Sequence, residues 1–280
     1  MTWIDPPPSA VREVVARALA EDVGSLGDLT AALVPDDASA VAEFVARQGG
    51  VLAGRACVVE TFALVDPSVS VEWRLADGVE VRPGEVCGVV AGGLASILTA
   101  ERTALNLLCR LSGIATLTRA YVRAAQGVAR IRDTRKTTPG LRALEKAAVR
   151  AGGGANHRGS LSDGLLIKDN HLAGLSITEA VQRARHRWPG HSVEVECDTS
   201  EQVKEAVAAG ADMVLLDNMV PDEVAACVAL IGGRCQVEVS GGVTLAAVPD
   251  YAAAGVDFIS VGALTHSAPA LDVGLDIRST

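Results

Sequence analysis

Aromatic side chains are scarce in this chain of 280 residues, where Phe, Trp and Tyr together make up 3%. Proteins that bind single-stranded nucleic acid stack bases on such rings, so we expect no nucleic-acid partner. Apolar residues nevertheless reach 49% of the chain against 21% charged, which excludes intrinsic disorder. The protein core must therefore be built from Ala, Val, Leu and Ile.

Metal and redox motifs built on cysteine are also missing. The six cysteines are scattered, and none of them shows the two-residue spacing of zinc sites or thioredoxin-like motifs. No stretch approaches 18 uninterrupted apolar residues, and no basic N-terminal segment leads into an apolar run with a cleavage site. We therefore expect a cytoplasmic protein with reduced thiols and no membrane partner.

Positive charge is concentrated in one part of an otherwise acidic chain. The formal net charge is −9, yet residues 130–168 contain nine basic and three acidic side chains. Such an island is either a solvated face or a site for an anionic ligand. Charge alone favours the solvated face. Three of the four lysines lie in this island, and Lys136 and Lys168 close predicted strands.

The first 128 residues predict a small α+β layer followed by a long helix. Apolar spacing behind a proline-rich start predicts a helix over residues 8–22. Turn signals then bound three predicted strands and one helix. The strands are 40–46, 69–75 and 86–91, the helix is 56–64, and the long helix is 98–124.

The last third of the chain repeats with a measurable period. Four apolar runs end at Glu196, Asp217, Ser240 and Gly262, at intervals of 21 to 23 residues. Predicted helices lie between them at 201–209, 221–231 and 244–254. Such repeats, with earlier strands at 129–134 and 165–168, favour a small or incomplete α/β barrel.

An open doubly wound sheet remains an alternative to the barrel, although the Gly-rich dinucleotide turn that usually accompanies it is missing. In a barrel, polar residues at the carboxyl ends of strands meet on the catalytic face. Glu196, Asp217 and Ser240 are therefore candidates by position alone.

Cations follow the predicted strands at three places. Arg135 and Lys136 stand together ahead of a Pro-Gly turn, a glycine run precedes His157-Arg158, and Lys168 closes an apolar run. A guanidinium offers a planar fork that matches carboxylate or phosphate. Each segment can also be a solvated surface turn. If the strands end at one pocket, these cations form an anion site.

Two carboxylates and two glycine turns complete the pattern. Glu196 and Asp217 at strand ends suit Mg²⁺ or ribose hydroxyls, and the alternative is that they cap the following helices. Ser240-Gly241 and Gly262-Ala263 resemble the phosphate cradle that barrels build in their last loops, or they are tight turns. Together these residues suggest a site for a sugar phosphate and a second, strongly anionic ligand.

Several longer strings resemble the quinolinate phosphoribosyltransferase family, a type II phosphoribosyltransferase family also called nicotinate-nucleotide pyrophosphorylase (carboxylating). The resemblance covers nearly the whole chain in order and includes Glu21-Asp22, Gly27-Asp28 and residues 101–106. The strings that carry it are residues 134–140, 156–158, 166–171, 193–196, 216–219, 238–242 and 260–266.

The resemblance implies two domains and a pentosyltransferase activity. An N-terminal α/β sandwich with the linking helix would occupy residues 1–110, and an incomplete barrel of about seven strands residues 111–269. Residues 270–280 would pack back on the first domain. The enzyme would use Mg²⁺ to transfer phosphoribosyl from phosphoribosyl pyrophosphate to quinolinate with decarboxylation, a step of NAD biosynthesis. It would be a homodimer or a higher oligomer with shared active sites.

The resemblance also implies roles for individual residues. Quinolinate would be held by Arg102 from the partner subunit and by Arg135, His157, Arg158 and Lys168. Lys136, Glu196 and Asp217 would be catalytic and contact the phosphoribosyl group, with Mg²⁺ bound by Glu196 and Asp217, directly or through water. The 5′-phosphate would be held by Ser240, Gly241, Gly262 and Ala263.

Three other functions remain open at this point. A related type II phosphoribosyltransferase or a molybdenum-transport-associated paralogue would share the fold, although two arginines with His157 favour a dicarboxylate over nicotinate. A sugar-phosphate isomerase or aldolase on the same barrel would need neither the Arg102 segment nor so many cations. A non-catalytic binding protein would bind these ligands without turnover.

Overall fold

Two units that alternate along the sequence make up the computed structural model, which describes residues 5–278. The first, here the antiparallel unit, comprises the chain up to Arg119, Thr137–Gly153 and the chain from Leu264 onward. The second, here the parallel unit, comprises Ala120–Lys136 and Gly154–Ala263. Within 5–278, none of the helices is both long and apolar enough to cross a membrane.

The secondary structure alternates between helices and strands over most of the chain. The helices are α1 (Pro8–Val23), α2 (Arg55–Val65), α3 (Leu94–Ala124), α4 (Arg142–Ala151), α5 (Asp169–Leu172), α6 (Ile177–Arg187), α7 (Ser200–Ala208), α8 (Pro221–Ile231), α9 (Val248–Ala253) and α10 (Ala263–His266). The strands are β1 (Ser39–Ala46), β2 (Gly50–Val51), β3 (Ser70–Trp73), β4 (Glu80–Val81), β5 (Val86–Gly93), β6 (Arg130–Arg132), β7 (Leu165–Ile167), β8 (Val193–Cys197), β9 (Met213–Asp217), β10 (Gln236–Ser240), β11 (Phe258–Ser260) and β12 (Val273–Arg278).

The antiparallel unit is built on a four-stranded sheet in the order β12-β1-β5-β3. Strands β2 and β4 form a separate two-stranded sheet. Strand β12 pairs with β1 from Val41↔Arg278 to Ala46↔Val273, so the end of the chain returns to its beginning. Phe44 is fully buried, stacked on Trp73 at 5.2 Å between ring centroids and edge-on to Phe62 at 6.2 Å. Three of the eight aromatic residues of the chain thus pack together in this core.

The parallel unit contains a six-stranded sheet in the order β6-β11-β10-β9-β8-β7. Val193, Val195, Val214 and Val239 are almost completely buried, as expected for parallel strands covered on both faces. A parallel bridge joins Ala155 to Arg132, so residues after the glycine run lie beside β6. Residues 5–278 therefore form a mixed α/β fold with a parallel six-stranded sheet, a separate antiparallel four-stranded sheet and an antiparallel two-stranded pair.

Most of the helix and strand predictions are confirmed. Helix α1 matches the predicted 8–22, α8 matches 221–231, and α3 extends the predicted long helix by four residues at its start. The predicted helix over 244–254 is confirmed in part, since α9 lies within it but a 3-10 turn at Leu245–Ala247 replaces its first turn. Pro249 has no N–H to donate to the carbonyl of Leu245, so a continuous α-helix cannot pass this point.

Three predicted strand ends, at 75, 134 and 262, are two residues too late. Strand β11 ends at Ser260 rather than Gly262. Its neighbour β6 ends at Arg132, which is paired with Ser260, and the carbonyl of Arg132 accepts a last bond from Val261 N at 2.9 Å. Beyond this point β11 has no partner strand to continue the ladder. Gly262 therefore lies in the loop before α10.

Candidate active site

A cavity of about 400 Å³ opens where the parallel strands end. Ligands of parallel α/β proteins bind at the carboxyl ends of the strands, because the connecting loops converge there. Every residue that lines the cavity belongs to the parallel unit. The lining residues are Thr134, Arg135, Lys136, His157, Arg158, Leu166, Lys168, Glu196, Leu215, Asp217, Glu238, Ser240 and Ser260.

The cavity brings together eight of the residues that the sequence analysis selected. They are Arg135, Lys136, His157, Arg158, Lys168, Glu196, Asp217 and Ser240. Gly241, Gly262 and Ala263 follow the strand ends but are not among the lining residues. Arg102 belongs to the antiparallel unit, where it lies on α3 with an exposed side chain.

The end of β6 explains how two adjacent cations reach one cavity. Within a strand, the side chains of Arg135 and Lys136 would point to opposite faces. Strand β6 ends three residues earlier, at Arg132, and the hydroxyl of Thr134 accepts a hydrogen bond from Lys136 N at 3.0 Å. Both side chains therefore belong to a turn, and both line the cavity.

Arg158 stands close to the charge of Arg135. Burial, with a contribution from the Arg135 cation, lowers the pKa of Arg158 from its ordinary value of 12.5. Its Nη1 donates to the carbonyl of Gly164 at 3.1 Å, which holds the side chain against the loop before β7. A guanidinium remains charged in proteins, so these two cations repel each other.

Lys168 and Glu196 form an ion pair at the mouth of the cavity. They follow or end neighbouring parallel strands, since Ile167 of β7 is in register with Val195 of β8. Lys168 is about 40% exposed and Glu196 about 13%. The cavity lining therefore contains both cationic and acidic side chains, and this pair joins one of each.

Glu196 and Asp217 do not cap the helices that follow them. The hydroxyl of Thr199 accepts from Gln202 N at 3.3 Å and so caps α7. At the start of α8, the carboxylate of Glu223 accepts from Val220 N at 3.2 Å. The alternative role as helix caps is thus excluded, and both carboxylates face the cavity.

The backbone around Asp217 leaves room only for glycine at position 241. Asn218 adopts φ 57° and donates from Nδ2 to Asp217 Oδ2 at 2.6 Å. Gly241 has φ 96°, and a Cβ built there would lie 2.2 Å from Asn218 Oδ1. Glycine is needed both for the dihedral angle and for this close approach.

A buried polar cluster, part of which lines the cavity, was missed by sequence reasoning. Glu238 is fully buried, accepts from Ser260 Oγ at 2.5 Å and from Arg132 Nη1 at 2.7 Å. Glu194 Oε2 lies 3.0 Å from His157 Nε2. The available signal was strand alternation, which puts Glu194 on the same face as Glu196 and Glu238 on the same face as Ser240.

The cluster favours a retained proton. Burial acts to lower the pKa of His157, but the hydrogen bond to Glu194 and the charges of Glu238 and Glu194 outweigh it and raise that pKa above 6.5. Burial, reinforced by the Glu194 charge, raises the pKa of Glu238 above 4.5, against the opposing charges of His157 and Arg132. A proton held between the imidazole and the carboxylates reduces the buried negative charge.

Two models of known protein families match this chain, one in its N-terminal part and one in its C-terminal part. The family model "Quinolinate phosphoribosyl transferase, N-terminal domain" matches residues 28–112, and "Quinolinate phosphoribosyl transferase, C-terminal domain" matches residues 114–276.

Individual relatives agree with the family match. A probable nicotinate-nucleotide pyrophosphorylase (carboxylating) of Bacillus subtilis is 46% identical, over 95% of this chain and 93% of that protein. The nicotinate-nucleotide pyrophosphorylase (carboxylating) of Mycobacterium leprae is 43% identical over 96% and 97%. The structure of nicotinate-nucleotide pyrophosphorylase from Francisella tularensis superposes with a TM-score of 0.93 at 37% identity, covering 98% of each chain. The chain therefore belongs to the quinolinate phosphoribosyltransferase family.

Proposed function

We propose that the chain transfers phosphoribosyl from phosphoribosyl pyrophosphate to quinolinate and decarboxylates the product, giving nicotinate mononucleotide, CO₂ and pyrophosphate for NAD biosynthesis. The observation that carries this proposal is that cationic side chains and two strand-end carboxylates line the same cavity. Family membership supports the same activity.

The cationic side chains suit the two carboxylates of quinolinate. Arg135, Arg158 and Lys168 supply three positive charges, and His157 lines the same wall. Bidentate pairing between a guanidinium and a carboxylate fixes the orientation of a planar ligand. The repulsion between Arg135 and Arg158 is relieved when a dianion binds, so binding is favoured by the charges already in place.

A second group of residues suits phosphoribosyl pyrophosphate. Lys136 would pair with the pyrophosphate, and Glu196 and Asp217 would contact the ribose hydroxyls. The 5′-phosphate would lie at Ser240, Gly241, Gly262 and Ala263. The hydroxyl of Ser240 lines the cavity, which supports this position. Because a 3-10 turn follows Gly242 and α10 has four residues, backbone amides of loops, rather than a long helix, would bind the phosphate.

The acidic side chains fit Mg²⁺. Glu196 and Asp217 present carboxylate oxygens to the cavity, and hard oxygen ligands from one or two carboxylates plus substrate phosphate are what Mg²⁺ prefers. Bound there, directly or through water, Mg²⁺ would supply charge stabilisation for the departing pyrophosphate. The ion pair with Lys168 keeps Glu196 in position at the cavity mouth.

The chemistry requires stabilisation of charge more than proton transfer. The bond between the anomeric carbon and pyrophosphate breaks, the sugar gains oxocarbenium character, and the pyridine nitrogen forms the new bond. Lys136 would stabilise the leaving charge, and a nearby carboxylate would stabilise the cationic sugar. When the adjacent 2-carboxylate departs as CO₂, its bonding electron pair stays on C2 as a carbanion that the neighbouring positive ring nitrogen stabilises, and a proton then adds to C2. The ring is its own electron sink, so no organic cofactor is needed.

We also propose that the parallel sheet curls into an incomplete barrel of about seven strands. Strands lie about 4.8 Å apart in a sheet, so β8 would be about 19 Å from β6 if the sheet were flat. The segment bridged to β6 at Ala155 nevertheless brings His157 Nε2 to 3.0 Å from Glu194 Oε2 on β8. Strong curvature accounts for this contact.

A homodimer with shared sites, or a higher oligomer built from it, would place Arg102 at a partner's cavity. Arg102 is exposed on α3, and Thr99, one turn earlier, donates to Asp28 Oδ2 at 3.1 Å. The segment held by this bond exposes Leu26, Leu29 and Leu33 at 80%, 67% and 82%. An exposed apolar surface of this kind next to Arg102 supports a contact with a second copy.

The activity can be tested directly. Purified protein is mixed with quinolinate, phosphoribosyl pyrophosphate and Mg²⁺, and both CO₂ and pyrophosphate are measured, with nicotinate as the control substrate and EDTA as the control for the metal. We expect equal amounts of both products from quinolinate and loss of turnover with EDTA. Pyrophosphate release with nicotinate but not with quinolinate would instead favour a monocarboxylate enzyme.

A further inference from the structure

The buried polar cluster spans most of the parallel sheet. It consists of Arg132 on β6, His157, Glu194 on β8, Glu238 on β10 and Ser260 on β11. Only His157, Glu238 and Ser260 also line the cavity. Burying two carboxylates is costly unless each has charged or hydrogen-bonding partners. The contacts of the cluster therefore need a functional explanation beyond stability.

Both ring nitrogens of His157 have partners in the protein. Nε2 lies 3.0 Å from Glu194 Oε2 and 3.5 Å from Glu238 Oε1. Nδ1 accepts a hydrogen bond from Arg158 N at 2.8 Å. This assignment puts the ring proton on Nε2, where it is donated to a carboxylate. Rotating the ring would break contacts on both of its sides at once.

The main chain of the same segment is held separately. Asp133 is fully buried, accepts from His157 N at 2.9 Å through Oδ1 and from Asn156 Nδ2 at 2.5 Å through Oδ2. The backbone position of His157 is thus fixed by Asp133, while its ring orientation is fixed by Glu194 and Glu238. Loss of one of these glutamates would free the ring without releasing the backbone.

Glu238 is itself fixed by two other strands. One oxygen accepts from Ser260 Oγ at 2.5 Å and the other from Arg132 Nη1 at 2.7 Å. The guanidinium of Arg132 lies 3.3 Å from the centroid of the Phe258 ring. Stacking and ion pairing together hold Arg132, and Arg132 in turn holds Glu238. The carboxylate next to His157 therefore has little freedom to move.

We propose that Glu194 and Glu238 are positioning residues of the dicarboxylate site. They orient the ring of His157. The hydrogen bond from Arg158 N to this ring in turn positions Arg158, whose guanidinium meets a substrate carboxylate. This inference rests on the proposed function, because it assigns Arg158 to quinolinate. Both oxygens of Glu238 already accept hydrogen bonds from Ser260 and Arg132, and Glu194 does not line the cavity, so we assign neither glutamate a contact with the substrate. Their effect is confined to the cationic side chains of the cavity, and the phosphoribosyl contacts do not depend on them.

A metal ion is the competing explanation for the cluster. His157, Glu194 and Glu238 each offer a ligand atom, all within 4.8 Å of one another. The hydrogen bonds from Ser260 and Arg132 already use both oxygens of Glu238, and an arginine beside a ligand carboxylate opposes a second cation. The positioning role explains these contacts without removing any of them.

The test uses Glu194→Gln and Glu238→Gln in the full-length protein, which keep side-chain size and remove the charge. The KM of quinolinate should rise at least about tenfold, as expected when a charge-assisted hydrogen bond is lost, while the KM of phosphoribosyl pyrophosphate changes less than about twofold. Glu205→Gln is the matched control, because Glu205 accepts from Thr178 N at 2.9 Å away from the cavity.

A double-mutant cycle separates positioning from general loss of structure. His157→Asn keeps an acceptor near the position of Nδ1 but cannot reach Glu194. If Glu194 acts through His157, then adding Glu194→Gln to His157→Asn should leave the KM of quinolinate unchanged. Additive effects of the two substitutions, or equal rises in both KM values, would overturn the proposal.

The folding of the variants and the binding of metal ions by the parent protein are measured as well. If circular dichroism shows that the Glu238→Gln variant does not fold, the double-mutant cycle of Glu194→Gln and His157→Asn decides by itself whether the cluster positions His157. Zn²⁺ or Mn²⁺ bound by the parent protein without substrates, and lost in Glu194→Gln, would support the metal explanation and contradict ours. Failure of the parent protein to turn over quinolinate would refute the proposed function, whereas an active parent with unaffected glutamate variants would refute only the positioning role.

Discussion

Lys168 and Glu196 are joined by an ion pair although the proposed function assigns them to different ligands. Lys168 follows β7 and would meet quinolinate, while Glu196 lies in β8 and would meet the phosphoribosyl group. In the absence of ligands each side chain offsets the charge of the other. When both substrates bind, each of the two residues gains a partner of its own, so the pair links the two halves of the site.

Glu196→Gln should separate binding from turnover. Removing the carboxylate weakens contacts to the phosphoribosyl group and Mg²⁺, so kcat/KM for phosphoribosyl pyrophosphate should fall at least about tenfold. Binding of quinolinate should survive, or tighten, because Lys168 loses its partner in the protein. Steady-state kinetics and calorimetric titration with quinolinate measure the two effects. Asp217→Asn should show the same loss of turnover, and parent-like turnover in both variants would contradict the assignment.

Mixing two inactive variants tests whether subunits share the active site. Arg102→Ala and Lys136→Ala remove groups that would come from different chains at one site. A hybrid dimer then contains one intact site, so an equal mixture should regain about one quarter of the parent activity if the dimer has two-fold symmetry. Mass spectrometry of the mixture establishes that subunits exchange. Exchange without recovered activity would show that each chain builds its own site.

The number of cations predicts a preference for a dicarboxylate. Nicotinate lacks the 2-carboxylate and would leave a donor such as Arg158 without that anionic partner. Each unpaired, buried donor costs affinity, so kcat/KM for quinolinate should exceed that for nicotinate by at least about two orders of magnitude. The ratio is measured at fixed phosphoribosyl pyrophosphate and Mg²⁺. A ratio near one would overturn the dicarboxylate assignment.

Gly241→Ala should damage the phosphoribosyl side of the cavity alone. The new Cβ would lie 2.2 Å from Asn218 Oδ1, and φ 96° is unfavourable for alanine. Asn218 must move and take its hydrogen bond to Asp217 with it. The KM of phosphoribosyl pyrophosphate should rise more than about fivefold, while that of quinolinate stays within twofold. Gly210→Ala is the control, with φ 82° but open space around its Cβ.

Three buried thiols should resist alkylation at moderately alkaline pH. Burial raises the pKa of Cys57 and of Cys197 to about 12 and that of Cys87 to about 11, from 9.0. Since the thiolate is the reactive form, iodoacetamide at pH 8 should leave these three unmodified in the native protein and label them after unfolding. Peptide mass spectrometry counts the labels. Labelling of Cys57 in the native state at the unfolded rate would disprove its burial.

The same shifts predict how stability depends on pH. Above pH 9 the unfolded chain loses thiol protons that the native protein retains, because the folded-state pKa values are higher. This contribution to the free energy of unfolding is present below pH 9 and decreases as the pH rises toward 12. Denaturant titrations of the parent and of Cys57→Ala should show a shallower alkaline decrease in the variant.

Local signals account for much of the site. Strand-end positions identified Glu196, Asp217 and Ser240, and the Pro-Gly turn after Lys136 indicated that two adjacent cations leave a strand together. These features depend on a few consecutive residues, so periodicity and turn chemistry predict them. The helix predicted over 244–254 is α-helical only over Val248–Ala253, because Pro249 cannot donate a backbone hydrogen bond to the turn before it.

What the sequence by itself determined is the alternation of strands and helices, and the identity of the polar residues at strand ends, because both follow from side-chain spacing along a single segment. The tertiary structure alone decided which side chains meet. The sheet order puts β6 beside β11 and β7 beside β8, so Arg132 reaches Glu238 and Lys168 reaches Glu196. His157 contacts Glu194 for the same reason. Contacts between residues so distant in sequence depend on the order and curvature of the strands, which no local pattern contains.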